Sequence, residues 1–198
     1  MRNSSNEPNA VPRPDLNLPF DQVALRPQSN TLYYFTGGLT AAYDVTRRRW
    51  SDLRPAHTPP PVMGGSLAYD PLHDEFILFG GGHVAEPGPD GHPVGYTGTW
   101  AFSVARNDWR RLATPVQPPP RMVTRMVTDT KRSQLILFGG DGESHWLADT
   151  WLFDLATRTW HQSKATAGPP PRAGHFTVFD PASGLVFIGG GRDRKSVV

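Results

Sequence analysis

An all-β fold assembled from repeated units of several short strands is what this sequence predicts, and three observations predict it. A short apolar run ending in a pair of glycines occurs four times: Leu32-Tyr-Tyr-Phe-Thr-Gly37-Gly38, Phe76-Ile-Leu-Phe-Gly80-Gly81, Gln134-Leu-Ile-Leu-Phe-Gly139-Gly140 and Leu185-Val-Phe-Ile-Gly189-Gly190. Proline triplets at Pro59–Pro61, Pro118–Pro120 and Pro169–Pro171 each stand about twenty residues ahead of one of these pairs. A tryptophan follows an aromatic segment at one fixed offset, six residues after Asp44, Ser103 and Asp154, at Trp50, Trp109 and Trp160. On the last proline of each triplet the period is 59 and then 51 residues. A period of that length carrying several short strands points to propeller blades.

At these residues the sequence resembles the kelch-repeat family. The resemblance rests on the apolar run, the glycine pair, the spaced aromatic, the tryptophan and the Pro-Pro-Pro-Arg opening of the next copy, and it covers about Thr31 to Gly191. It implies kelch-type β-propeller blades of four antiparallel strands round an axis. It implies no single activity, because such propellers serve both as interaction platforms and as enzymes.

The elements follow in order. Residues 1–20 are polar and proline-bearing and read as a disordered lead-in. The propeller occupies 21–191, in blades of about 21–56, 57–115, 116–166 and 167–191. Blade one takes Asp21–Leu25, Thr31–Phe35, Ala42–Val45 and Arg49–Leu53. Blade two takes Gly64–Tyr69, Glu75–Phe79, Thr99–Ser103 and Trp109–Leu112. Blade three takes Met122–Thr128, Gln134–Phe138, Thr150–Asp154 and Thr159–Gln162. Blade four supplies only Gly174–Phe179 and Leu185–Ile188, so an incomplete ring is expected. Asp193–Val198 match no blade pattern and look like read-through of a sequencing adapter. Residues 192–198 are therefore set aside as a non-native-looking tail of a truncated fragment.

Each motif has a packing reason. The apolar runs are continuous because a mid-blade strand is buried on both faces. The glycine pairs supply the positive φ of a tight turn and let backbone approach closely. Trp50, Trp109 and Trp160 are expected to cap the core between blades. The copies are not identical. Arg121 and Arg172 open their blades, where blade two has Val62. His175 stands where the others have Thr124 and Gly65. Asp149 precedes Thr150-Trp151, whereas Gly98 precedes Thr99-Trp100.

Composition bounds the function. The net charge of +2 predicts no nucleic-acid or membrane partner. With no cysteine, disulfides and thiolate chemistry are excluded. The first twenty residues hold no apolar segment of a signal peptide, and no run is long enough to span a bilayer. Compartment is left open.

Strand parity puts the loops after the glycine pairs and the Pro-Pro-Pro-Arg crossovers on one face, with the turns at Asp70–Asp74, Asp129–Ser133 and Asp180–Gly184 on the other. The first face varies: 6, 22 and 14 residues separate the second glycine from the strand-three anchor in blades one to three. Unequal loops on a regular scaffold mark a binding face. Its candidate ligand residues are His83, Asp90, His92 and Tyr96 in the long loop, Asp141, Glu143, His145 and Trp146 in blade three, and Arg121 and Arg172 near the channel mouth. The two arginines either clamp an acidic partner bidentately or cap their own blades. His83, His92 and His145 follow no metal spacing, so neither metal nor cofactor is expected. Glu86, Asp90 and Glu143 form no carboxylate pair set by the sequence. The radical copper oxidases with a galactose oxidase-like central domain need a Cys–Tyr crosslink that this chain lacks. The leading expectation is a binding module whose loop face recognises a protein or carbohydrate partner. The alternative is part of a carbohydrate-active propeller enzyme such as a sugar mutarotase or epimerase.

Overall fold

The computed structural model describes residues 22–87, 93–142, 144–165 and 167–193. The fold is all-β, with one short 3-10 turn at Pro27–Ser29. The first sheet holds β1 (Gln22–Arg26), β2 (Thr31–Thr36), β3 (Leu39–Asp44) and β4 (Arg49–Asp52). The second holds β5 (Met63–Asp70), β6 (Glu75–Pro87), β8 (Thr99–Ser103) and β9 (Asp108–Leu112), with β7 (Pro93–Gly95) paired to the far end of β6. The third holds β10 (Arg125–Asp129), β11 (Gln134–Asp141), β12 (Trp146–Asp154) and β13 (Thr159–Gln162). The fourth has β14 (Arg172–Asp180) and β15 (Leu185–Asp193). All pairings are antiparallel and run in chain order within each sheet.

The inner strands β1, β5, β10 and β14 adjoin in sequence order, so the sheets fan about an axis without closing a ring among the described residues. Two apolar layers lie between neighbouring sheets. Phe35 meets Val62, Leu67, Tyr69, Phe76 and Trp109 between the first and second. Ile77 and Phe79 meet Leu135, Leu137, Phe153 and Trp160 between the second and third. These strands read as unbroken apolar runs because both of their faces are covered. The fourth sheet turns Phe176, Val178, Leu185 and Phe187 outward, each more than half exposed.

Hydrogen bonds join the sheets as well. The Trp109 indole donates to Thr40 Oγ1 at 2.9 Å, and the Trp160 indole donates to Thr99 Oγ1 at 2.8 Å. Each tryptophan therefore anchors the last strand of its own sheet to the third strand of the sheet before. Trp50 packs differently: it is half-buried and lies against Tyr34 and Tyr43 of its own sheet. Arg158 of the third sheet reaches buried Glu75 of the second at 2.6 Å, where Arg110 already grips both carboxylate oxygens.

The glycine pairs behave as expected in three sheets and are displaced in the fourth. Gly37 and Gly38 have φ of 55° and 92°, which lets β2 turn directly into β3. Gly80, Gly81, Gly139 and Gly140 repeat that conformation, but β6 and β11 continue past them as strand. In the fourth sheet positive φ falls on Gly190 and Gly191 rather than on Gly189 and Gly190. Gly189 occupies the place that Phe79 and Phe138 hold in their sheets. Its strand partner is Phe176, and a β-carbon at Gly189 would strike the Phe176 ring. Against the Ser66–Phe79 pair of the second sheet, large and small have changed places across the two strands, and the ring on Phe176 is exposed where Phe79 is buried.

Candidate functional site

The glycine-pair face is built from the ends of β6, β11 and β15 and from the proline crossovers. Its geometry begins at the axis. Val123 N donates to Gly64 O at 2.6 Å, and Gly174 N donates to Val123 O at 3.0 Å. These residues stand at one repeat position in successive sheets, and their backbone bonds form the rim of the arc. All three have positive φ: 69° at Gly64, 51° at Val123 and 69° at Gly174. Glycine holds that conformation freely, whereas a β-branched residue there is strained.

Val123 borders a pocket of about 380 Å³ between the third and fourth sheets. Asp141 and Trp146, directly opposed where β11 and β12 pair beyond the glycines, form one wall. Gly174, Gly191 and Arg192 form the other. The pocket therefore offers an indole, a carboxylate, a guanidinium and glycine-lined backbone. Asp141 and Trp146 come from the expected set. Arg192 and Val123 do not: Arg192 was read as the start of a tail, yet it lies on β15 opposite Ala173.

The other expected residues separate. The long stretch after Gly81 is partly a hairpin, because β6 runs on to Pro87 and pairs with β7. His83 lies on that extension opposite Val94; its side chain, and Asp90, His92 and Glu143, lie outside the described residues. Tyr96 is half-buried and packs on the core between the first two sheets, and its N–H donates to Gly81 O at 2.6 Å. That placement makes it scaffold rather than contact surface. His145 is exposed, with its ring 3.2 Å from Ser144 Oγ. No three His, Asp or Glu side chains among the described residues come together to hold a metal ion.

Arg121 is a correction. It is fully buried, and its guanidinium is used inside its own sheet. Nη1 and Nη2 lie 2.7 and 2.8 Å from the two oxygens of Asp149, Nη1 also donates to Gly139 O, and Nε donates to Pro119 O. Burial opposes ionisation of Asp149, but the hydrogen bonds and charge of Arg121, with the Trp151 indole at 2.7 Å, hold its carboxyl below the usual range. A guanidinium so enclosed cannot clamp a partner. Arg172 repeats the two carbonyl contacts, to Pro170 O and Gly190 O, but no carboxylate meets it among the described residues. In the second sheet both members are replaced, by Val62 and Gly98, and the buried Trp100 indole N–H has no partner.

Comparison with known proteins agrees with this architecture. The KLHDC2/KLHL20/DRC7 Kelch-repeats domain model matches residues 24–198. Adagio-like protein 3 of Oryza sativa subsp. japonica is 29% identical over 119 residues, covering 59% of this chain and 18% of that protein. Serine/threonine-protein phosphatase BSL2 of Arabidopsis thaliana is 27% identical over 158 residues, covering 78% of this chain and 15% of its own length. The dynein alpha chain of the flagellar outer arm of Chlamydomonas reinhardtii is 31% identical over 137 residues, covering 67% of this chain and 3% of its own length. The chain thus spans less than a fifth of each of these relatives. The solved structure of YjhT superposes with a TM-score of 0.65 at 14% identity, covering 83% of this chain and 56% of that one, a likeness of fold alone.

Proposed function

The chain belongs to the kelch-repeat family, and on that premise we propose that it is an interaction module recognising a protein partner through its glycine-pair face. The observation that carries this reading is the asymmetry between the two faces. One face closes in short turns pinned by Asp70, Asp129 and Asp180 to their own backbones. The other carries the β6–β7 extension and the pocket walled by Trp146, Asp141 and Arg192. Short turns fix a scaffold, whereas longer segments and a cavity present recognition groups. The relatives are consistent with this reading, since a phosphatase and a dynein chain each match this chain over only 15% and 3% of their own length. The alternative, a sugar mutarotase or epimerase, would need general acid and base groups together, and among the described residues the pocket wall offers a single carboxylate, Asp141.

Parallel protein-array and glycan-array screens of the full chain, repeated with Trp146→Ala and Arg192→Ala, test this. Protein ligands that both substitutions weaken, and that Lys131→Ala on the turn face leaves unchanged, are the expected result. Ligands insensitive to both pocket substitutions, or binding confined to glycans, would overturn it.

A further inference from the structure

The outer half of the second sheet carries an inference beyond the pocket described above. Trp100 lies near the head of β8, and its indole N–H is buried with no hydrogen-bond partner among the described residues. Trp151 holds the same repeat position in the third sheet, where its indole donates to Asp149 at 2.7 Å. A buried donor left unpaired is costly, so it calls for an acceptor. Residue 98, in the place of Asp149, does not supply one. It is a buried glycine at φ 139°, a conformation that residues with side chains rarely adopt.

The space beside Gly98 is walled by donors. A β-carbon built there would lie 3.5 Å from Trp100 Nε1, 3.6 Å from Arg111 Nε and 3.4 Å from the Tyr96 ring. These are ordinary contact distances, so the space takes a carbon without displacing its walls. Arg111 pairs with Trp100 across β8 and β9, where the third sheet pairs Trp151 with neutral Gln162. The third sheet's own cation at this level, Arg121, is fully buried and used by Asp149. Arg111 instead stands on the outermost strand of its sheet and is exposed. No hydrogen bond or ion pair engages its guanidinium among the described residues. It also borders an open recess of about 340 Å³ with Leu112, Thr114 and Gln117, which leaves its side chain room to pivot. Two N–H donors therefore converge beside Gly98, one fixed and dry, the other charged and reachable from solvent.

We propose that Trp100 and Arg111 form a seat for a carboxylate, delivered by an acidic side chain of a protein partner. One carboxylate oxygen accepts from Trp100 Nε1–H. The other accepts from the Arg111 guanidinium, which pivots outward to admit the group. An anion suits this site because an indole N–H and a guanidinium donate and neither accepts. All the groups of the seat lie within or next to the second sheet, whose strand order β5-β6-β8-β9 is unbroken. Gly98 stands at the head of β8, on the glycine-pair face. Only the source of the carboxylate rests on the interaction reading above; the seat itself is tested without a partner.

The test follows the indole N–H signals of the isotope-labelled full chain by NMR, with Trp100→Phe identifying the Trp100 signal. Titration with sodium acetate, against sodium chloride at equal ionic strength, should move that signal downfield and saturably. The Trp151 signal, whose acceptor Asp149 is already in place, should stay still and show that the fold is intact. Arg111→Gln, at an exposed position, should weaken the acetate response at least about fivefold. A Gly-Asp-Gly peptide blocked at both ends should reproduce the shift, and its Asn counterpart should not. A Trp100 signal that acetate leaves in place, that chloride moves equally, or that responds as strongly in Arg111→Gln would overturn the seat. A response to acetate that the Asp peptide does not reproduce would confine the seat to small free carboxylates and overturn a partner's side chain as its occupant. None of these readings involves Trp146 or Arg192, so the seat and the pocket fail separately.

Discussion

Arg121 and Asp149 meet in a two-pronged ion pair at 2.7 and 2.8 Å that ties the opening residue of the third sheet to its third strand. The second sheet lacks both partners, having Val62 and Gly98 instead. Both members are therefore absent together, the pattern expected when an unpaired buried charge costs more than the pair contributes.

That cost is measurable. Asp149→Ala strands a buried guanidinium and should destabilise the chain by roughly 3–5 kcal/mol. Combining it with Arg121→Val, which imitates the second sheet, should cost less than the two single changes together, with a coupling of about 2–3 kcal/mol. Urea denaturation of the four proteins in the cycle reads this directly; additive losses would contradict it.

The tryptophan anchors make a separate forecast. Thr99→Val keeps side-chain shape but leaves the buried Trp160 indole N–H unpartnered, a loss of about 1–3 kcal/mol. Trp160→Ala removes the packing between sheets as well and should cost roughly 3–5 kcal/mol. Trp160→Phe in the Thr99→Val background should be milder than Trp160→Ala, because no orphaned donor remains. Unfolding midpoints at constant m-value would show the order.

Val123 sits at φ 51° where Gly64 and Gly174 hold the same rim position. Left-handed backbone costs a non-glycine residue about 1–2 kcal/mol, and glycine returns about 0.5–1 kcal/mol of that as greater freedom in the unfolded chain. Val123→Gly should accordingly stabilise the fold by about 0.5–1 kcal/mol, seen as a raised Tm. Gly64→Val, the reverse change in the second sheet, should lower it.

His175 sets a pH dependence. Burial, with the charges of Arg125 and Arg172, pushes its pKa down from 6.5 to about 4. Between those values the unfolded chain binds a proton that the folded chain refuses. Stability is therefore full above about pH 6.5 and falls as pH drops toward 4, by a total of order 3 kcal/mol. The carboxylates of Glu75 and Asp149, held below their usual range mainly by arginine partners against the opposing effect of burial, lose their contribution only in more acid solution. His175→Thr, which copies Thr124 and its 3.0 Å bond to Phe138 O, should flatten the decline between pH 6.5 and 4. A slope unchanged in that variant would remove His175 as the cause.

Much of the fold was readable because each repeat signal has a local cause. The apolar runs before the glycines, the turns after Asp70, Asp129 and Asp180, and the strand order within each sheet all follow from side-chain alternation, turn chemistry and chain continuity. The placement of Gly189 did not follow. It pairs with Phe176 where the second sheet pairs Phe79 with Ser66, and only the pairing register reveals that glycine and ring stand on opposite strands there. The β6–β7 extension was likewise hidden, since glycine and proline between Gly81 and Tyr96 carry no strand pattern. Of the candidate residues, Asp141 and Trp146 follow a glycine pair and line one pocket, whereas Arg121 is turned inward, because a sequence shows a charge without showing its counter-charge.

By itself the sequence determined the architecture: repeat period, glycine pairs and the six-residue tryptophan offset are properties of the chain's order, and they dictate sheets stacked side by side. Tertiary structure decided which charged side chains are paired within the fold. Two arginines in the same motif, Arg121 and Arg172, end differently because one faces Asp149 across a neighbouring strand and the other, among the described residues, meets backbone carbonyls. Ion pairing and burial depend on distances between residues far apart in sequence, and those distances exist only after the sheets have packed.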